Sequence, residues 1–338
     1  MGNKHYRLLC FSFLSMAFFA CNKNSDSSTS DTSTGNWINR YEMNGNVRSE
    51  SVSFVIGDTA YVGGGFDGTE RLNDYYAYDA ATNSWYQTAD FPGTARNSAV
   101  AFSAAGNGYV GTGYDGVNRL KDFWEYSPAT NTWTQKTDFP GSARYDASAF
   151  ALNDKGYVVA GFDGSYLKDF WQYDPESNTW TEKPNGIGSK RSGAVAFTYN
   201  NNAYIVTGTN NGQYVTDFWK YNGAADSWSE LHKIAAVTDS SFDDDYSDII
   251  RSNAAAFVIG NYAYLSTGEN GSYISKTWRY DFANDLWVRR TAFEGSARTG
   301  AVGFAVQGRG YITTGRSSST YFDDVYEFRP DEDYSSTD

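Results

Sequence analysis

Six unequal copies of one motif run through this chain, and the last of them lacks its final strand. Trp85, Trp133, Trp180, Trp228 and Trp287 each close a copy, whereas the sixth runs out at Phe328-Arg329-Pro330 with no tryptophan. An orphan of the same kind sits at the amino end, where Asn36-Trp37-Ile38-Asn39-Arg40 reads like Asn131-Thr132-Trp133-Thr134-Gln135. A strand lent by the opposite terminus would complete the sixth copy and turn an open array into a ring. Trp37 is then expected beside Tyr326, with no sheet edge left to recruit other chains.

Three columns keep the same rhythm: Gly65, Gly113, Gly161, Gly208, Gly268 and Gly315; Arg48, Arg96, Arg144, Arg191, Arg251 and Arg298; Phe54, Phe102, Phe150, Phe197, Phe257 and Phe304. The glycine intervals are 48, 48, 47, 60 and 47, the period of a propeller blade. Each copy reads as four short strands, which in the second are 98–104 (a), 108–113 (b), 120–126 (c) and 132–136 (d), divided by Gly106-Asn107, Asp115-Gly116 and Pro128-Ala129-Thr130-Asn131. Small residues such as Ala99-Val100-Ala101 suit the crowded innermost strand. Tyr109, Trp124, Trp133 and their counterparts fill the splayed space farther out. The expected fold is all-β: a six-bladed β-propeller, four antiparallel strands per blade, spanning 37–330, with 331–338 as an acidic tail and no helix.

The formal charge of -13 becomes -15 once the first twenty residues, with Lys4 and Arg7, are removed. Nucleic acids and anionic membranes demand a basic footprint and are excluded as partners. Residues 1–20 carry the basic start and thirteen-residue apolar run of a secretory signal, too short to span a bilayer. Phe18-Phe19-Ala20-Cys21 resembles a bacterial lipobox, with Phe18 and Phe19 in place of the usual Leu and small residue. Cys21 is then the lipidated first residue, and ordinary cleavage leaving a free thiol is the alternative. Residues 22–36 are polar enough to act as a tether. Without Cys10 the mature chain has one cysteine and no internal disulfide. These features imply an exported protein of the bacterial cell envelope, on the outer membrane, touching the membrane only through its lipid.

The pattern resembles the kelch family, whose repeat carries Gly-Gly after strand b, a nearby Tyr and a Trp in the last strand. Gly64-Gly65 is the one full pair; Thr112-Gly113, Ala160-Gly161, Thr207-Gly208, Thr267-Gly268 and Thr314-Gly315 keep the second glycine. The resemblance covers 37–330 and implies a six-bladed ring.

In such a blade the d-to-a and b-to-c connections share one face, so the arginine column is expected to ring the channel mouth. Asp74, Asp122, Asp169, Asp217 and Asp324 open strand c as candidate counter-charges. In blade five Lys276 takes that position and blade six adds Arg316, so positive charge is expected to gather near Arg251, Lys276, Arg298 and Arg316 as an anion subsite, with Glu269 as a local neutraliser. Phe66-Asp67-Gly68, Tyr114-Asp115-Gly116 and Phe162-Asp163-Gly164 set an aromatic beside an acid in three successive b-to-c loops. Asp-Gly makes tight turns by itself, and flat rings beside carboxylates are also what a sugar needs. The insertion 231–250 is expected to overhang the mouth; its Asp239, Asp243, Asp244, Asp245 and Asp248 lack the spacing of a calcium loop.

The mature chain keeps one histidine, His232. The copper site of galactose oxidase, a kelch-related propeller enzyme with two histidines and a Tyr-Cys crosslink, cannot be assembled, nor can a three-histidine zinc site or a Cys-His pair. The expectation is a monomeric module binding a protein or glycan through the mouth, with no metal, cofactor or catalytic residue. The alternative is a carbohydrate-active enzyme, such as a sugar mutarotase or epimerase, using mouth acids like Glu50, Asp146 and Glu269 with arginines. Its signature would be a mouth carboxylate that is buried with a raised pKa.

Overall fold

The computed structural model describes residues 1–2, 34–184, 186–246 and 248–337. The signal segment, Cys21 and most of the tether lie outside these residues. From Thr34 onward the chain forms six four-stranded antiparallel sheets arranged as propeller blades. In the second, Val100–Ala104, Asn107–Gly111, Phe123–Ser127 and Thr132–Gln135 are strands a to d from axis to rim.

Blade six takes Thr299–Val306, Arg309–Ser317 and Val325–Arg329 from the carboxyl end and Asn36–Arg40 from the amino end. Trp37 stands opposite Phe328, and Asn39 opposite Tyr326, so the expected neighbour is two residues off. Trp85 and Trp133 likewise pair with Tyr78 and Tyr126, the column to which Phe328 belongs. Tyr326 instead continues the column of Trp124, which pairs with Gln135. Trp37 is fully buried, packs edge-on against Phe257 and Phe293, and donates its indole N–H to Thr291 O at 3.2 Å.

Neighbouring blades interlock through the phenylalanine column. Phe54 lies against Gly108 of the next blade, where a Cβ would come within 2.2 Å of its ring, and Phe102 faces Gly156 in the same way. Within a blade each such Phe stacks on its Tyr, as Phe54 does on Tyr61 with centroids 5.1 Å apart. These close-packed rings make the wall between blades rigid.

The hub closes separately from the rim. Glu50, Ser98, Asp146, Gly193, Asn253 and Gly300 each open an innermost strand, and all six are left-handed, with φ between 49° and 66°. Each donates its backbone N–H to the carbonyl of the preceding member: Ser98 to Glu50 at 2.8 Å, Asp146 to Ser98 at 3.1 Å, Gly193 to Asp146 at 3.0 Å, Asn253 to Gly193 at 2.9 Å, Gly300 to Asn253 at 3.0 Å and Glu50 to Gly300 at 2.7 Å. The result is a closed loop of six hydrogen bonds around the axis, one from every blade.

Candidate functional site

The arginine column lies behind the mouth, not on it. All six side chains are at most 2% exposed. Nη1 of Arg48, Arg96, Arg144, Arg191, Arg251 and Arg298 donates to the carbonyls of Gly64, Thr112, Ala160, Thr207, Thr267 and Thr314. Those acceptors precede the glycine column and are all left-handed, with φ from 58° to 68°. A threonine there is strained, and the guanidinium holds its carbonyl in place. The glycine that follows is required: at Gly65, with φ +99°, a Cβ would stand 2.7 Å from Ser49 O.

Five of the arginines complete ion pairs with Asp74, Asp122, Asp169, Asp217 and Asp324. Asp122 is held below the usual carboxylate range: its hydrogen bonds and charge contact with Arg96, with an added bond from Trp124, outweigh the opposing cost of burial. Blade five repairs its missing acid from the insertion. Asp248 accepts the Trp278 indole N–H at 2.7 Å, as Asp122 accepts that of Trp124 at 2.8 Å, and its backbone carbonyl takes Nη2 of Arg251. The Lys276 carbonyl accepts Nη1 of Arg251 at 2.9 Å, while the Lys276 side chain is exposed. The expected anion subsite therefore does not assemble, because Arg251 and Arg298 are consumed inside the wall. Arg316 turns to Tyr273 Oη at 3.4 Å and to Glu50 at 3.9 Å.

The insertion does not overhang the mouth as expected. Ile234, Tyr246 and Ile249 are buried against Trp278 and Trp287, and Tyr246 Oη accepts the backbone N–H of Trp287 at 2.6 Å. Asp243 turns inward and caps the N–H groups of Val237 and Thr238, so the segment covers the rim of blade five.

In the b-to-c loops, Asp67, Asp115 and Asp163 accept N–H groups two or three residues ahead and act as turn caps. The aromatics beside them are half-buried in a belt. Phe66 packs edge-on against Tyr321; Arg71 stands over both Phe66 and Tyr114; Tyr145 touches Tyr114 and Phe162; Arg119 lies over Phe162. Phe66 and Tyr114 thus have faces filled by the protein's own arginines.

Between blades three and five the belt opens. Thr209 occupies the position that Phe66, Tyr114 and Phe162 hold earlier, and Gly212 leaves the neighbouring turn bare, so a cavity of about 320 Å³ forms. Its walls include Tyr145, Phe162, Tyr166 and Tyr214, and Asp146 and Glu269 stand on its inner edge. Asp146 also faces the axial cavity, together with Glu50 and Ser98. Loss of bulk water, followed by repulsion from Glu50, raises the Asp146 carboxyl to about 7. Burial also raises Glu269, partly relieved by Arg316 and reinforced by Glu50. Glu50 is held by Asn97 Nδ2 and by the Ser98 hydroxyl at 3.1 Å.

The sequence reading missed Tyr145, Tyr166 and Tyr214. Tyr166 and Tyr214 belong to a column with Arg71, Arg119, Tyr273 and Tyr321, each one residue before the apolar residue that ends the loop; aligning that column would have found them.

The geometry defines a six-bladed β-propeller with an off-axis, aromatic-walled pocket beside the hub. The chain belongs to the kelch-repeat β-propeller family. Residues 142–304 match the KLHDC2/KLHL20/DRC7 kelch-repeats domain, and residues 48–92 and 113–140 match the kelch motif. The solved structure of YjhT is similar, with a TM-score of 0.70 over 85% of this chain and 95% of that one, at 17% identity. That likeness is one of fold. No curated protein matches the chain.

Proposed function

We propose that the protein is a binding module of the bacterial cell envelope that recognises carbohydrate in the pocket between blades three and five. The observation that carries this reading is the cavity itself: rings to stack on a sugar face, with Asp146 and Glu269 placed to accept its hydroxyls. Its volume suits one sugar residue held at the mouth of a longer chain. Kelch propellers generally mediate protein interactions, and a glycan on a protein surface joins both kinds of partner. Of the residues first expected to bind, Phe162 and Glu269 line this pocket, Arg316 belongs to its surroundings, and the arginine column acts by holding the loops. The signal and Cys21 lipobox support export and anchoring, with residues 22–36 as the leash.

A glycan array with wild type and with Phe162 and Tyr214 changed to Ala tests the reading. Signals lost in the variant are expected, and signals unchanged there would remove the pocket from recognition.

One observation favours a second reading, proton transfer on the bound sugar. Asp146 lies against a cavity with its pKa near neutrality, which suits a general acid or base. Conversion between the anomers of a bound sugar, followed by NMR, would be abolished by Asp146→Asn if this reading holds, and equal rates in both proteins would discard it.

A further inference from the structure

Internal repetition shows what the pocket lacks. In blades one and two the second loop column supplies Arg71 and Arg119, and their guanidinium groups cover aromatic faces, Arg71 at 4.5 Å from the Phe66 centroid and 5.4 Å from that of Tyr114, Arg119 at 5.6 Å from that of Phe162. In blades three and four the same column supplies Tyr166 and Tyr214. The charge is absent from this column in blades three to six, and the cavity opens within that span. Four rings and two carboxylates line that cavity, and among the described residues no Lys, Arg or His lines it.

We propose that the cavity takes a ligand bearing a free ammonium group, which for a carbohydrate site means an unacetylated amino sugar. The inference rests on the carbohydrate reading above and names its substrate class. The ammonium would occupy the place next to the rings that Arg71 and Arg119 fill in the first two blades, attracted by the negative ring faces. Asp146 and Glu269 would supply its counter-charges. The nearby charged and titratable groups agree: Glu50 and Glu269 add negative field around Asp146, Tyr145 is neutral, Arg316 is engaged by Glu50 and Tyr273, and Arg119 is exposed above Phe162. A neutral or N-acetylated sugar would leave Arg316 as the cation acting on Glu269 and bring none to Asp146.

Calorimetry on the mature full-length protein with glucosamine, glucose, N-acetylglucosamine and choline tests this. Glucosamine is expected to bind at least about tenfold more tightly than glucose or N-acetylglucosamine. Asp146→Asn and Glu269→Gln should each erase about that factor from the preference for glucosamine over glucose, read as the ratio of the two affinities within one variant. Near neutral pH, glucosamine should also expel a proton from Asp146, seen as a binding heat that varies with the buffer's ionisation enthalpy, and glucose should not. Equal affinity for glucose and glucosamine overturns the ammonium inference and leaves the carbohydrate reading standing. Choline bound as tightly as glucosamine, with glucose ignored, upholds the ammonium site and removes the carbohydrate reading. Failure of all four to bind overturns the inference, and the glycan array then decides the carbohydrate reading by itself.

Discussion

Changing Asp248 to Ala removes a carboxylate that blade five borrows from the insertion, and the cost can be worked from its contacts. Trp278 is 1% exposed, and its indole N–H points at Asp248 Oδ1 over 2.7 Å; stranding that donor costs roughly 1–3 kcal/mol. The bridge to Arg289 is 3.1 Å long and half in solvent, so it adds less than about 1 kcal/mol. Arg251 keeps its carbonyl partners and loses its counter-charge, which already sits beside a guanidinium pulled down to about 10 by burial. The total is about 3 kcal/mol. With an unfolding entropy near 2.1 cal/mol/K per residue over roughly 300 folded residues, the melting temperature should fall by about 5 °C. Scanning calorimetry would read it, with Lys276→Asp as the internal control. That second change returns an acid to the position Asp122 holds in blade two, so it should recover most of the loss in the Asp248→Ala background and gain little in the wild type. A melting temperature unmoved by Asp248→Ala, or a double variant no better than the single one, would refute the idea that one carboxylate substitutes for the other.

Three further changes probe the ring and its mouth. Trp37→Ala should cost about 3–5 kcal/mol in denaturant unfolding, because the indole fills the space among Phe257, Phe293 and Phe328; a loss below about 1 kcal/mol would mean the seam does not depend on it. Thr207→Gly should stabilise by about 1 kcal/mol, since it relieves a β-branched residue at φ 68° and removes a buried hydroxyl without a partner; a lower melting temperature would show that the lost methyl packing outweighs both. Asp146→Asn should raise the melting temperature above about pH 7 and leave it unchanged below about pH 4. The folded carboxyl holds its proton to about 7 and the unfolded one releases it near 3.8, so the wild type loses stability as pH rises through that window. A pH-independent difference between the two proteins would contradict this.

Blade number, strand order and the borrowed strand were legible in the chain because each is a repeated demand of packing: a Trp at the rim, a Phe facing the next blade, a Gly where no Cβ fits. The partner of Trp37 was misjudged by two residues because alternation gives the face of a strand and leaves its register open. The arginines were placed at the mouth because their position in the loop is visible while the direction of their side chains is not. Asp248 was hidden for a different reason. It serves blade five from outside the repeat, so no column could reveal it. The pocket escaped because it is made by what blade four lacks, at Thr209 and Gly212, and a search for recurring residues overlooks a vacancy.

The six-link hoop at the hub limits traffic along the axis. Every link is donated in the same rotational sense, from each blade to the one before it, so the bore cannot dilate at one point without straining the others. Gating by iris-like widening is therefore closed to this molecule, and a bulky solute must be met at the entrance, where side chains can move while the backbone circle stays shut.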